Sequence, residues 1–363
     1  MILKLVLDFF KQIHLIVSKC HSIIFIKFNK KVIIKLKFIE FFQISFTKVY
    51  NKIYKKVLSK SLNSDKNYLV SRDIIIFHLV KNITEYYVNN NISIQKFNAD
   101  LNLESKKVVI DLIKKLQYYY THSLIDKREL FSIEDLQDEI EFNKTINLTK
   151  QKMILAKNDY EPSIFQYHCG LKLIKEDIII NNLKNKDFID GGAYIGDSAV
   201  IFEKYYNPNK IYAFEPDDKN YNLLSKTIIR NNLKKIIPIK KGLGEQEKII
   251  SFKSQGALSS ISRQGENKID IITIDDFVLK NNLKIGLIKL DVEGYELNVL
   301  KGAIKTIKKY NPILLIAIYH NGKQFFETKD FIKKINDSYK FLIRKLTPRC
   351  FLNETFLIAY YNE

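Results

Sequence analysis

Three carboxylates lie close together in the segment KLDVEGYE (289–296), at the end of an apolar run. Asp291 and Glu293 follow that run directly, and His320 ends a second one, PILLIAIYH (312–320). If both runs are neighbouring parallel strands, these side chains meet at the sheet edge where open α/β proteins bind ligands. Acids and an imidazole placed there can take a proton from an acceptor hydroxyl. We therefore predict Asp291, Glu293 and His320 as catalytic residues.

The third carboxylate, Glu296, lies one turn further along. Apolar residues at 297, 300, 304 and 307 have helical spacing, which predicts one continuous helix after the strand. We interpret Glu296 as a first-turn acid stabilised by the helix dipole, and we expect its replacement by Gln to have little effect. Asp291, Glu293 and His320 could also hold a divalent cation together with water. Because acidic clusters without metal geometry are common, we predict no metal.

A glycine turn precedes this region in FIDGGAYIGDS (188–198). A short strand runs into Asp190, and a helix follows from Ser198, so the turn can bring backbone amides close to a ligand. The spacing D-x-G-A-x-x-G differs from the G-x-G-x-x-G of dinucleotide enzymes and places an acid where pyrophosphate would be repelled. The predicted cofactor residues here are Asp190, Gly191, Gly192, Ala193, Tyr194, Gly196, Asp197 and Ser198.

An acidic residue ends the next candidate strand. Glu215 lies 19 residues after Gly196 (215 − 196) and is followed by Pro216, which is the spacing at which such folds bind the ribose hydroxyls of a nucleoside. S-adenosylmethionine fits both the turn and Glu215, because its amino acid end is zwitterionic and it carries no phosphate. We predict Glu215 and Pro216 as cofactor contacts, and Asp291 as a third contact at the same edge.

Four segments taken together carry a family resemblance: FIDGGAYIGDS, YAFEPDDKNYNLL, TIDDF and LIKLDVEGYELNVLKGA. In this order and spacing, residues 160–361 resemble the FkbM-type family of S-adenosylmethionine-dependent methyltransferases. The resemblance implies a class I, Rossmann-like domain with seven strands and O-methylation, often of sugar hydroxyls in surface glycans or of natural products. It places the cofactor loop on Asp190, Gly192, Ala193 and Gly196, and the ribose-binding acid on Glu215. Tyr194 stands where many members have Asn.

Two further segments leave alternatives open. Leu243 and Gly244 follow the third candidate strand, where class I enzymes usually hold adenine, although an ordinary hairpin turn would read the same. Glu161 and His168 lie at the start of the matching region. Either they close over the cofactor or they belong to a linker with a buried histidine.

The distribution of glycine and proline divides the chain. All 12 Gly and 6 Pro lie at or after Pro162, so residues 1–155 are predicted to be mainly helical, with a capping box at SIED (132–135). Residues 156–363 alternate apolar runs with helical patterns, which predicts an α/β methyltransferase domain. Its predicted strands are 187–190, 210–215, 235–240, 286–291 and 312–320, followed by 340–346 and 355–361, which we expect to pair as an antiparallel end.

The net charge of +19 is concentrated at the start of the chain, where residues 1–60 carry 13 Lys and only Asp8 and Glu40 as acids. This segment is either a helical region with solvated lysines or a platform for an anionic membrane surface. Cys20, Cys169 and Cys350 make no C-x-x-C pair, which fits a reducing compartment. Without a cleavage site or a 20-residue apolar run, we expect a cytoplasmic protein, with peripheral contact at the inner face of the membrane as the alternative.

These observations predict an S-adenosylmethionine-dependent O-methyltransferase that acts on a hydroxyl of a cell-surface glycan or glycolipid precursor, in polysaccharide biosynthesis. The alternatives are an NAD-dependent Rossmann oxidoreductase and a scaffold that keeps the fold without turnover. No N-P-P-Y or D-P-P-Y segment is present to hold a flipped base, so no nucleic-acid partner is expected despite the charge. The oligomeric state is not predicted.

Overall fold

The computed structural model describes residues 73–253 and 267–361, together with the short strand segments 27–28, 31–32, 69–71 and 260–261. The chain forms two compact units, Met1–Lys66 and Asn67–Glu363. In the first unit the description is limited to an antiparallel pair, β1 (Lys27–Phe28) and β2 (Lys31–Val32). Apart from these two strands, residues 1–60, for which we predicted helices and membrane contact, lie outside the described residues.

Helices dominate the described part of the predicted helical region. They are α1 (Ile74–Asn89), α2 (Ile94–Phe97), α3 (Leu103–Thr121), α4 (Lys127–Leu130) and α5 (Ile133–Lys152), with a short antiparallel pair β3 (Leu69–Ser71) and β4 (Leu124–Asp126). The predicted capping box is confirmed, because Ser132 and Asp135 cap each other's backbone at the start of α5. Asp73 and Asn102 likewise accept backbone N–H groups at the starts of α1 and α3.

A seven-stranded sheet forms the centre of the second unit. Its strands are β5 (Asp187–Gly191), β6 (Ile211–Phe214), β7 (Ile236–Ile239), β12 (Ile285–Leu290), β13 (Ile313–Ala317), β14 (Lys340–Lys345) and β15 (Thr355–Tyr360), so every predicted strand is confirmed. The order is β14-β15-β13-β12-β5-β6-β7, and β15 runs antiparallel to both its neighbours, as predicted. The remaining pairs are parallel, which confirms the class I methyltransferase fold.

Crossover helices cover this sheet. They include α6 (Pro162–Phe165), a 3₁₀ segment (His168–Leu173), α7 (Glu176–Leu183), α8 (Asp197–Tyr206), α9 (Asp218–Arg230), α10 (Ile274–Lys280), α11 (Glu296–Lys301), α12 (Ile304–Tyr310) and α13 (Gly322–Ile335). Because both faces are covered, every residue of β5, β12 and β13 is buried. The parallel connections bring the carboxyl ends of β5, β6, β12 and β13 to one edge. None of the described helices is long and apolar enough to cross a membrane.

A smaller sheet lies beside this edge. It contains β8 (Gly242–Leu243), β9 (Lys248–Lys253), β10 (Ser260–Ile261) and β11 (Asn267–Ile272), in the order β10-β9-β11-β8. Its strand β8 carries Leu243 next to the glycine turn. A Cβ on Gly191 would lie only 3.0 Å from a methyl carbon of Leu243.

The continuous helix predicted after β12 is wrong. The structure has two helices, α11 and α12, with a break at Gly302. A Cβ on Gly302 would lie 2.1 Å from the carbonyl oxygen of Gly244, so the chain must pass the β8 turn without a side chain. Helical spacing of the apolar residues could not reveal this close approach.

The helical region packs directly against the sheet. Ser105 of α3 accepts a hydrogen bond from the Ile343 amide of β14 at 3.1 Å, and Lys345 pairs with Asp135 of α5. On the other side, the amide of Gly322 donates to Asn82 of α1 at 2.9 Å. The compact unit thus begins at Asn67 and includes α1 to α5, ahead of the boundary that we predicted at residues 155–156.

Candidate functional site

The glycine turn after β5 is pressed against the end of β12. Gly192 has a φ of +75°, and a Cβ on it would lie 1.8 Å from the carbonyl oxygen of Asp291. The Asp291 amide donates to the Gly191 carbonyl at 3.0 Å, and Lys289 Nζ donates to the Gly192 carbonyl at 2.8 Å. Only glycine satisfies both the backbone angle and the contact at position 192. The first turn and the fourth strand of the parallel set are therefore one structural unit.

A buried ion pair lies beneath this turn. Asp190 is fully buried, its carboxylate accepts a hydrogen bond from Ser198 Oγ at 2.6 Å, and Lys289 Nζ lies 3.2 Å from its other oxygen. Burial acts to lower the pKa of Lys289, but Asp190 and then Asp291 outweigh it and raise that pKa above its ordinary value. Lys289 therefore carries its charge inside the sheet and neutralises Asp190.

The acid at the end of β6 is held by backbone amides. Glu215 accepts hydrogen bonds from the amides of Tyr194 and Asp217, each at 2.9 Å. Burial raises the pKa of Glu215 to about 7, although the two amides oppose the shift. Glu215 thus links the glycine turn to the next crossover, with a carboxylate fixed at the ligand-binding edge.

Tyr194 joins the turn to the segment that precedes α6. Its backbone is left-handed, with φ +46°, and its hydroxyl lies 2.6 Å from Lys157 Nζ and 3.1 Å from Asp159 Oδ2. Lys157 and Asp159 are themselves 2.9 Å apart. Residues 154–161 therefore form a strap that is tied to the cofactor loop at Tyr194.

The second half of the edge is a group of carboxylates around one imidazole. His320 Nε2 lies 3.6 Å from Asp291 Oδ1 and 3.4 Å from Glu293 Oε2, while Nδ1 lies 3.2 Å from Glu296 Oε1. Burial acts to lower the pKa of His320, but the carboxylates, Glu296 first, raise it well above its ordinary value. Burial also raises the pKa of Asp291, against the opposing effects of His320 and Lys289. The surrounding carboxylates thus favour the charged imidazolium form of His320.

Glu296 begins α11, as predicted, but the structure gives its carboxylate contacts that a simple first-turn acid would lack. Its side chain is fully buried. It accepts hydrogen bonds from the amides of Val292 at 2.8 Å and Gly294 at 3.3 Å, and another from the amide of Gln324. A carboxylate with three donors and a facing imidazole is part of the architecture of the turn, and its loss leaves buried donors without partners.

The geometry also bears on the metal alternative. One donor atom from each of Asp291, Glu296 and His320 lies within 4.8 Å of the other two. However, the oxygens of Glu296 already accept the hydrogen bonds just described, and His320 turns Nδ1 toward Glu296 rather than toward an open space. Both oxygens of Glu296 thus already accept hydrogen bonds, which disfavours Glu296 as a metal ligand, and the absence of a metal stays our prediction.

Comparisons with known proteins place this geometry in a family. The family model for the methyltransferase FkbM domain matches residues 190–350, which span the glycine turn, Glu215 and the carboxylate group. Residues 190–350 form an FkbM methyltransferase domain. Such domains use S-adenosyl-L-methionine, and the resemblance seen in the sequence is confirmed.

Two relatives of the FkbM domain are informative. The chain is 29% identical over 154 residues to the hexuronic acid methyltransferase AglP of Haloferax volcanii, covering 41% of this chain and 61% of the relative. The crystal structure of methyltransferase FkbM from Methylobacillus flagellatus KT superposes with a TM-score of 0.53 at 20% identity, over 77% of this chain and 61% of that one. The chain thus spans about three fifths of the length of each relative, and the structural likeness supports the fold.

Within the FkbM domain, the structure brings most predicted cofactor residues to one edge. Gly191, Gly192 and Ala193 form the turn, and Glu215 and Pro216 end the neighbouring strand. Leu243 packs against Gly191, and Gly244 lies against Gly302. Asp197 and Ser198 begin α8 but are buried, and burial raises the pKa of Asp197 to about 7. Asp190 faces Lys289 and Ser198, so a direct contact of Asp190 with the cofactor stays a prediction.

Glu161 and His168, the two candidates that precede the FkbM domain, lie in different surroundings. Glu161 lies on the site side, 3.5 Å from Arg349, and burial raises its pKa. His168 lies elsewhere, buried with Nδ1 2.8 Å from the hydroxyl of Tyr206, and burial lowers its pKa to about 3. His168 is therefore a neutral core residue, which is the alternative that the sequence left open.

Sequence reasoning missed three side chains at the site: Lys289, Tyr319 and Glu354. Lys289 had a visible signal, because it is the lone charge in the buried strand IGLIKL (285–290). Tyr319 and Glu354 had none. The hydroxyl of Tyr319 lies 3.4 Å from Asp291 Oδ1 and 3.4 Å from Glu354 Oε1, and Glu354 reaches the site from the hairpin of β14 and β15, 63 residues beyond Asp291 (354 − 291).

Proposed function

We propose that the protein is an S-adenosylmethionine-dependent O-methyltransferase that methylates a hydroxyl of a cell-surface glycan or glycolipid precursor. One observation carries the proposal: the glycine turn and the carboxylate group share one sheet edge, with Gly192 packed on the Asp291 carbonyl. A cofactor held by the turn would therefore lie beside the acids. The similarity to AglP, a hexuronic acid methyltransferase, supports a sugar acceptor.

The residues of the turn fit this cofactor. When bound, it supplies a methyl group carried on a sulfonium. The backbone at Gly191, Gly192 and Ala193 can approach a ligand closely, and Glu215 offers a fixed carboxylate for two ribose hydroxyls. The remaining proposed contacts are Glu161, Tyr194, Gly196, Asp197, Pro216, Leu243, Gly244 and Asp291. Asp190 and Ser198 would act from beneath, by holding the turn and Lys289 in place.

The acids would prepare the acceptor. Methyl transfer needs the hydroxyl in line with the leaving group, and it gains from a base that takes the hydroxyl proton, worth roughly 10²–10⁴-fold in rate. We assign that base to Asp291, which lies against the glycine turn and whose pKa is raised by burial, so that its carboxylate is a stronger base than a solvated one. Glu293, with a side chain that is 28% exposed, would hydrogen-bond the acceptor. His320 is charged, so it would fix the carboxylates rather than act as the base.

Calorimetry tests the cofactor half of the proposal. The full chain should bind S-adenosylhomocysteine, and Glu215→Gln should weaken binding by about tenfold, since a hydrogen bond from ribose to a charged group is lost. The matched control Glu176→Gln alters an exposed first-turn acid of α7 and should bind normally. Binding of NAD without S-adenosylhomocysteine would favour an oxidoreductase, and binding of neither would favour a scaffold.

The acceptor half needs a product. Mass spectrometry of surface glycans from a deletion strain should show the loss of methyl groups, restored by the wild-type chain but not by Asp291→Asn or Glu293→Gln. Unchanged glycans would contradict the acceptor class. Full turnover of the purified enzyme in excess EDTA would agree with a reaction that needs no metal. Loss of turnover would instead favour a divalent cation at the carboxylate group.

Contact of residues 1–60 with an anionic membrane stays a proposal that rests on their 13 lysines. The full chain should sediment with acidic liposomes, and a chain lacking residues 1–60 should not. Equal sedimentation of both chains would exclude this segment as the membrane contact.

A further inference from the structure

Glu354 is a half-buried acid for which the proposed reaction has assigned no role. We call the group of Asp291, Glu293, Glu296 and His320 the acceptor half of the site, and the glycine turn with Glu215 the cofactor half. Glu354 lies in the connection between β14 and β15, yet its side chain reaches the acceptor half. Its carboxylate oxygen Oε1 lies 3.4 Å from the hydroxyl of Tyr319, the same hydroxyl that lies 3.4 Å from Asp291 Oδ1. A single tyrosine therefore bridges Glu354 and the carboxylate that we assign as the base.

The backbone of Glu354 is also unusual. Its φ is +57°, in the left-handed region that glycine and asparagine commonly occupy and glutamate seldom does. The conformation is anchored, because the Glu354 carbonyl accepts the Leu346 amide at 2.8 Å. Because this turn does not favour glutamate, the side chain of Glu354 explains its presence better than the backbone does.

The Tyr319 hydroxyl can satisfy Asp291 and Glu354 together only in certain protonation states. A tyrosine hydroxyl has one hydrogen, so it can donate to only one of two carboxylates. If Asp291 and Glu354 were both ionised, one of them would face the hydroxyl oxygen with no hydrogen between them. The contact is favourable on both sides only when one of the carboxyl groups is protonated and donates to the tyrosine.

The surroundings decide which acid keeps the proton. His320 Nε2 lies 3.6 Å from Asp291, and Lys289 adds a second positive charge near Asp291. The ionisable groups around Glu354 are Asp291 and Lys289 of the β12 end, Glu161 before α6, Tyr319 after β13 and the thiols of Cys169 and Cys350. The one cation among them, Lys289, is paired with Asp190.

We propose that Glu354 is a positioning residue that stays protonated at neutral pH and, through Tyr319, directs a hydrogen bond at the ionised carboxylate of Asp291. The chain of donors runs from the Glu354 carboxyl to the Tyr319 oxygen, and from the Tyr319 hydrogen to Asp291. Burial, followed by the negative charge of Asp291, raises the pKa of Glu354 to about 8, which agrees with this order. The inference rests on the proposed function in taking Asp291 as the base.

Infrared spectroscopy of the full-length protein tests the proton directly, without an acceptor. Wild-type protein should show a protonated-carboxyl band that disappears as the pH rises through about 8, and Glu354→Gln should lack that component. Glu327→Gln is the matched control, because Glu327 also accepts from a tyrosine, but from Tyr86 rather than from Tyr319. A folded Glu354→Gln variant with the wild-type band would overturn the proposal.

Tyr319→Phe tests the connection and covers the case in which Glu354→Gln does not fold. Removing the hydroxyl should shift the frequency of the Glu354 band and raise the pKa of Asp291 by about one unit, because Asp291 loses a donor to its charged form. An unmoved band would contradict the bridge. In the Tyr319→Phe background, Glu354→Gln should no longer change the hydrogen bonding of Asp291, and additive effects of the two changes would contradict a path through Tyr319.

Calorimetry with S-adenosylhomocysteine on the same samples separates this inference from the proposed function. If Glu354→Gln lacks the band and no sample binds S-adenosylhomocysteine, the protonation of Glu354 would be supported but the methyltransferase proposal would be contradicted. If binding is normal and the band is unchanged, the methyltransferase proposal would be supported and the protonation of Glu354 contradicted.

Discussion

The two halves of the ligand-binding edge handle negative charge in different ways. In the cofactor half, Glu215 is held by two backbone amides and Asp190 is neutralised by Lys289. In the acceptor half, Asp291, Glu293 and Glu296 surround the single imidazole of His320. The first half gives each acid partners of its own, whereas in the second all three acids also face one imidazole. The first arrangement suits rigid binding, and the second suits the proton transfer that we propose.

The backbone is strained in both halves, but different groups hold it. In the cofactor half, the left-handed turn at Gly192 is tied to β12 by hydrogen bonds to Asp291 and Lys289, and Tyr194 follows with a φ of +46°. In the acceptor half, Glu293 has a φ of +55° without the freedom of glycine. Strain at such non-glycine residues is typical of functional positions.

Alanine substitution at one glycine from each half should produce the largest difference. Gly192→Ala would place a Cβ 1.8 Å from the Asp291 carbonyl, so we expect a loss of several kcal/mol in stability and no measurable binding of S-adenosylhomocysteine. Gly294→Ala has the same left-handed constraint, but its nearest neighbour would be the Asn321 amide at 3.2 Å, so it should cost about 1–2 kcal/mol. Thermal unfolding and calorimetry measure both. Equal losses would mean that the backbone angle, not the contact with β12, decides.

Lys289→Met should have the next largest effect. It would leave Asp190 buried and charged without its cation, at a cost of about 3–5 kcal/mol. Urea unfolding should show this loss, and Lys289→Met with Asp190→Asn should recover part of it. Lys301→Met is the control, because Lys301 pairs with Glu245 at the surface and should cost almost nothing. A small effect at Lys289 would mean that Asp190 is protonated, and the contrast between the two halves would weaken.

The two halves also differ in how much the sequence could predict. The elements of the cofactor half could be located from the sequence, because glycine spacing, strand ends and the acid after β6 are local features of the chain. The acceptor half was predicted in part: Asp291, Glu293 and His320 follow from strand ends, but Tyr319 and Glu354 meet only because β15 returns between β13 and β14. The burial of Glu296 was missed because its donors come from its own turn and from α13, where no sequence period links them.

Glu296→Gln follows in size and tests the shared imidazole. Gln keeps the shape but removes the charge that faces His320 Nδ1 and weakens the bonds to the Val292 and Gly294 amides, so we expect a loss of about 2–3 kcal/mol. Denaturant unfolding measures it, with the exposed first-turn acid Glu176→Gln as the control. A wild-type stability for Glu296→Gln would restore the interpretation of Glu296 as a simple helix start.

The stability of the cofactor half should depend on pH through Glu215. Burial raises the pKa of Glu215 from 4.5 to about 7, so the folded state binds its proton more tightly than the unfolded state does. The stability from this proton is complete below pH 4.5 and is lost as the pH rises through about 7. Comparing urea unfolding at pH 5 and pH 8, the wild type should lose about 1–2 kcal/mol more than Glu215→Gln. Parallel losses in the two proteins would show that Glu215 does not titrate in this range.

Matched removal of a tyrosine hydroxyl from each half should give the smallest effect and the finest comparison. Tyr194→Phe removes contacts to Lys157 and Asp159, which remain paired with each other at 2.9 Å, so the strap keeps an ion pair of its own. Because the backbone already fixes this half, affinity for S-adenosylhomocysteine should fall only about two- to fivefold, which is below about 1 kcal/mol. Tyr86→Phe, which removes a hydroxyl bonded to Glu327 rather than to a residue of the strap, controls for loss of a hydroxyl on a carboxylate. Tyr319→Phe should leave the same affinity unchanged and alter the titration of Asp291 instead. A large loss of affinity in Tyr194→Phe would show that the strap, rather than the glycine turn, holds the cofactor half in place.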